Sequence, residues 1–144
     1  MQSVSSNWQL WALMSAVFAA MTAILAKLGV ERIDPTFATF IRTLVIVAVS
    51  GAFVLYTQSA QPLSSISSRS FLFLGLSGLA TGLSWLCYFH ALKVGPVAGV
   101  ASIDKLSVVL VAGFGLVFLG EALTLRQWLA IGLIGAGVLI FASR

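Results

Sequence analysis

Five long apolar stretches separated by short polar punctuation organise this chain. They run from Trp8 to Gly29, Phe37 to Thr57, Phe71 to Leu92, Val97 to Leu119 and Trp128 to Ala142. Each is close to the ~20 residues with which an α-helix crosses about 30 Å of hydrocarbon. The boundaries are helix-breaking or polar: Asp34-Pro35, Gln61-Pro62, Gly95-Pro96 and Gly120-Glu121. Only the connection from Tyr56 to Ser70 is long, and its serines with Pro62 read as an aqueous loop inside a single domain, residues 1–144. The pattern predicts an all-α polytopic membrane protein, a bundle of five transmembrane helices.

Composition agrees and removes alternatives. Of 144 residues, 60% are apolar and 8% charged, where a soluble domain carries about 25% charged residues. The net charge of +4 comes from eight Lys or Arg without a basic run, so no nucleic-acid partner is expected. Cys87 is the single cysteine, which excludes an intrachain disulfide and a Cys-based metal cage. The N-terminus lacks a basic segment and a small-residue cleavage site, so the first stretch is expected to stay in the mature protein as a span.

Five crossings place the termini on opposite sides. Arg69 and Arg126 fall on the N-terminal side, and Lys27, Arg32, Lys93 and Arg144 on the other, which predicts a cytoplasmic C-terminus. Dual topology and a parallel or antiparallel dimer are left open by so small a margin. Trp8, Trp11 and Trp128 lie near span ends as headgroup anchors.

Small residues mark expected helix-packing faces. Gly75, Gly78 and Gly82 line one face of the third helix, and Gly132, Gly135 and Ala136 belong to the fifth. A neighbouring face of the third helix carries Ser77, Thr81, Ser84 and Tyr88, hydroxyls that belong against protein or water rather than hydrocarbon.

The chemistry rests on charge inside the spans. Arg42, Asp104 and Lys105 are intramembrane, where an ionised group is costly unless paired or wet. Arg42 lies seven residues beyond Pro35 and Asp104 eight beyond Pro96, about 10 to 12 Å deep from the same side. That matching depth makes Arg42 the expected mate of Asp104 and leaves Lys105 as a cation facing a cavity. Trp85, inside the third helix, and His90, near its end, are further candidates for the wall and for proton transfer. No phosphate loop, metal-ligand spacing or nucleophile elbow is present, so no catalytic residue, metal or cofactor is expected.

The segment from the third helix onward contains Ala91-Leu92 followed by Gly95-Pro96, then "LGEALT" at Leu119 to Thr124, then Gln127-Trp128 and a Gly-rich last helix. Together with "FIRTLVI" around Arg42, it resembles the EamA repeat of the drug/metabolite transporter superfamily over nearly the whole chain. The resemblance implies a secondary transporter of a small metabolite or drug-like solute, working by alternating access in the cell membrane among its lipids. Most such transporters carry two repeats in opposite orientation, and a five-helix chain is expected to restore the pair as a homodimer. A lipid-linked flippase, or an accessory subunit of a second polypeptide, is the alternative. Many EamA repeats have a proline in the fourth helix; here "SIDKLSVV" stands instead, which marks Asp104 and Lys105 as the local specialisation. Related small multidrug resistance proteins couple protons through a Glu in the first helix, and that helix here has no carboxylate. Glu121 of "LGE" is expected to cap or anchor a helix terminus.

Overall fold

The computed structural model describes residues 7–143, the side chain of Asn7 excepted. Arg144, which entered the loop-charge count, lies outside them. The elements are α1 (Asn7–Val30), α2 (Pro35–Tyr56), a short 3-10 turn (Leu63–Ser65), α3 (Ser68–Val94), α4 (Val97–Asp104), α5 (Leu106–Phe114), a π-helical segment (Gly115–Leu119) and α6 (Leu125–Ala142). Among the described residues there is no strand, and five helical spans are long and apolar enough to cross a membrane. The protein is an all-α, multi-pass membrane protein.

Most helices begin earlier than the apolar pattern does, because a first turn is built from polar capping residues. Asp34 precedes α2, and its Oδ1 accepts from the backbone N–H of Thr36 (2.9 Å) and Phe37 (3.1 Å). Pro35 then occupies the first helical position, where its missing N–H costs nothing. At α3 the Ser67 hydroxyl accepts from the Ser70 N–H at 3.1 Å. At α6, Thr124 and Gln127 form a reciprocal capping box, in which the Thr124 N–H donates to Gln127 Oε1 at 2.8 Å.

The fourth span differs from expectation. The pattern predicts one helix from Val97 to Leu119, yet the chain breaks at Lys105 without a proline. There the bonding tightens from i→i−4 to i→i−3: the Lys105 N–H donates to Ser102 O and the Val108 N–H to Lys105 O, both at 3.0 Å. Such a turn needs no missing donor. The span then widens to π geometry and stops at Gly120, whose φ of +67° suits glycine. The Glu121 N–H closes this end on Gly115 O at 3.1 Å.

Close contacts divide the chain into two compact units, Leu25–Lys93 and Met1–Ile24 with Val94–Arg144. In the first, Ala26, Val30, Thr39, Phe89 and Leu92 are buried. In the second, α6 packs on α4 and α5, and the glycines explain how closely. A Cβ at Gly135 would sit 3.3 Å from Val109 Cγ2, and one at Gly99 3.6 Å from the Phe141 ring. Gly75, Gly78, Gly82 and Gly132 have no described atom within 4 Å of the Cβ position. Ala136 is exposed.

Candidate functional site

In the unit Leu25–Lys93, two lysines set the register of the helices. Lys27, in the last turn of α1, donates to Leu92 O at 2.6 Å. Lys93, in the last turn of α3, donates to Val30 O (2.9 Å), Glu31 O (2.7 Å) and Ile33 O (3.1 Å). Each ammonium thus serves carbonyls at the C-terminal end of the other helix. Those carbonyls lack intrahelical partners and carry the negative end of the helix dipole. The stitch brings the end of α3 beside the start of α2, so the two run antiparallel from a common level.

From that level, Arg42 lies seven residues into α2, while Phe89 and Trp85 lie five and nine residues back from Val94. At 1.5 Å per residue these are depths of about 10 Å and about 8 to 14 Å, so the side chains meet. The Arg42 guanidinium carbon stands 4.3 Å from the centroid of Trp85 and 5.6 Å from that of Phe89. Trp85 and Phe89 are four apart and share one face of α3. Tyr88, half-buried, lies three residues along α3 from Trp85. Thr39 and Thr43 flank the arginine on α2, and each hydroxyl donates back to the carbonyl four residues earlier, at 2.8 Å.

Stacking on an aromatic face stabilises a cation by about 0.5 to 2 kcal/mol, depending on desolvation. An arginine at the centre of a span costs about 2.5 to 3.5 kcal/mol on insertion scales. The rings therefore offset part of the cost of Arg42. No carboxylate of residues 25–93 lies within ion-pair distance of it.

His90 belongs to a different group. Its Nδ1 donates to Leu86 O at 2.8 Å, and it is five residues beyond Trp85, away from the face that carries the rings. Its electrostatic neighbour is Asp34. That carboxylate is held below its ordinary value chiefly by the Phe37 N–H, with the Thr36 N–H and the field of His90 acting in the same direction. The structure thus brings Arg42 and Trp85 together and places His90 at the helix-end group.

In the other unit, Asp104 and Lys105 sit at the break in the fourth span. Lys105 Nζ is 3.6 Å from Asp104 Oδ2, with side chains 56% and 43% exposed. The break removes the regular helix, and the flexible lysine stem folds back to its neighbour. Glu121 sits at the span's end, with Oε2 3.0 Å from the Cβ position of Gly115. No group of three His, Cys, Asp or Glu among the described residues is arranged to hold a metal, and Cys87 is exposed.

Sequence reasoning missed the roles of Lys27 and Lys93, which it treated as loop charges. The available signal was a lysine in the last turn of two helices ending on the same side.

Comparison with known proteins adds the family. Residues 6–143 match the EamA-like transporter family. A protein of Sinorhizobium sp named "Uncharacterized transporter in cobO 3'region" is 56% identical over 139 residues, which cover 96% of this chain and 99% of that one. No solved structure matches the chain. With five membrane-spanning helices, a family match over nearly its full length and a relative of equal extent named as a transporter, the chain belongs to the EamA-like transporter family and is a membrane transporter.

Proposed function

We propose that this protein is a secondary transporter that carries a small metabolite or drug-like solute across the cytoplasmic membrane by alternating access. It works as a homodimer, with its C-terminus in the cytoplasm. The observation that carries the reading is Arg42, charged and about 10 Å inside a span, held against Trp85 and Phe89 rather than by a carboxylate of its own unit. A charge maintained at that depth by aromatic faces is costly scaffolding but a useful recognition element. Five spans supply one of the two repeats that such transporters place around a midplane site, and the open face of Gly75, Gly78 and Gly82 offers close approach to a second copy. The whole chain acts as one membrane domain in this reading, and Asp104 is the group whose protonation is coupled to transport.

The test is reconstitution in liposomes with a screen of metabolite classes for flux under an imposed proton gradient, beside mass analysis in gentle detergent. Saturable flux and a species of twice the chain mass are expected. Full transport by a monomeric preparation, or dependence on a second, different polypeptide, would overturn the homodimer.

A further inference from the structure

We infer that the solute is a small organic anion, whose carboxylate or phosphate oxygens bind in the plane of the Arg42 guanidinium while its apolar part lies along Trp85 and Phe89. This rests on the transport reading above and names the substrate class of that site. A guanidinium offers two chemically different surfaces. Its faces stack on aromatic rings, and its edges carry five N–H donors in a fork that matches an oxyanion. Here the guanidinium carbon stands over Trp85 at 4.3 Å and near Phe89 at 5.6 Å, so the rings take up part of its surface. Within residues 25–93 the edge donors make no hydrogen bond and no ion pair.

The acidic side chains of the unit that holds Arg42 have other positions. Asp34 caps α2 through the N–H groups of Thr36 and Phe37. Glu31 lies in the connection before α2, eleven residues from Arg42. Preorganisation points the same way, because a guanidinium already held against two rings spends little further freedom when it binds a ligand.

Trp85 is a built-in reporter. Trp8, Trp11 and Trp128 are replaced by Phe, leaving Trp85 as the single tryptophan, and emission is followed as benzoate, benzylammonium or inorganic phosphate is added to the protein in nanodiscs of zwitterionic lipid. Benzoate is expected to give a saturable change with at least a tenfold advantage over benzylammonium, a cation of similar size, and phosphate a weaker one. Arg42→Gln should remove the benzoate response at least tenfold, and Arg42→Lys, which keeps the charge but not the fork, should retain part of it. Equal responses to benzoate and benzylammonium would overturn the proposal, and so would an undiminished benzoate response in folded Arg42→Gln. Because the benzoate comparison is made on protein with Arg42 intact, it stands even where the variant fails to fold. A signal that ignores all added solutes but follows the phosphatidylglycerol content of the nanodisc would assign the oxyanion to lipid headgroups and overturn the solute assignment. Arg42-dependent benzoate binding without flux in liposomes would uphold the anion site and remove the transport reading, whereas flux of a cation that is insensitive to Arg42→Gln would do the reverse.

Discussion

Replacing Lys93 with methionine should loosen the end of the bundle where α1, α2 and α3 meet. The two side chains are similar in length, so the change removes the ammonium and little else. All three of its donors are in use, at 2.7 to 3.1 Å from the carbonyls of Val30, Glu31 and Ile33. A hydrogen bond to a charged group contributes about 1.5 to 3 kcal/mol net, and a cation at a helix C-terminus about 0.3 to 1 kcal/mol more. Three such bonds do not add in full, because Lys93 is exposed and water can solvate part of what it leaves. Val30, by contrast, is fully buried. The expected loss is about 2 to 3 kcal/mol, the equivalent of one good charge-assisted bond plus the dipole contribution. Lys27→Met, which removes the bond to Leu92 O, should also destabilise, and the pair should be non-additive by at least about 0.5 kcal/mol because both stitches hold the same two helix ends. Lys93→Arg should fall between, since a planar fork cannot converge on three carbonyls as a tetrahedral ammonium does. The assay is SDS-titrated unfolding in mixed micelles followed by circular dichroism, with Trp85 emission recorded in parallel to report whether Arg42 has left the ring. A loss below about 0.5 kcal/mol for Lys93→Met, within the range of ordinary surface substitutions, would refute the reasoning.

Asp34 should make stability pH-dependent. Its pKa is lowered in the folded chain, so its contribution is fully present above the ordinary carboxylate value and is lost as pH falls through the lowered one. Asp34→Asn, which still caps, should flatten that acid limb in unfolding measured across pH. Gly120→Ala places a side chain at φ +67° and should cost about 1 to 2 kcal/mol, whereas Gly132→Ala, with open space around it, should be neutral or gain up to about 1 kcal/mol from helix propensity. Both are readable by the same titration. Asp104→Asn should abolish the proton dependence of flux in liposomes while the protein still inserts and folds. Normal proton dependence in that variant would make Asp104 structural.

The spans were legible because hydrocarbon leaves the chain few options: twenty-odd apolar residues between Pro, Gly and Asp read the same from either direction. Their starts were less so, since Ser67, Thr124 and Asp34 look like loop residues until their oxygens are seen to satisfy the first turn. Arg42 and Trp85 could be singled out by depth, and their meeting follows from antiparallel helices that share a starting level. The interruption at Asp104-Lys105 was hidden for a physical reason. A proline announces a break through a missing donor, but a change from i→i−4 to i→i−3 bonding leaves no compositional trace. The glycine spacing on α3 was visible, but spacing does not say whether the matching surface belongs to the same chain.

That proline-free interruption has a mechanical consequence. At a proline the bend is permanent, because no rearrangement restores the absent N–H. Here Lys105, Leu106, Ser107 and Val108 all keep theirs, so straightening the fourth span needs only an exchange of one hydrogen-bond register for another. Beyond the break, α5 and the π-helical segment form a lever of about 20 Å. A swing of about 10° at Lys105 then moves the tip near Gly120 by roughly 3 to 4 Å, on the order of a water molecule's width.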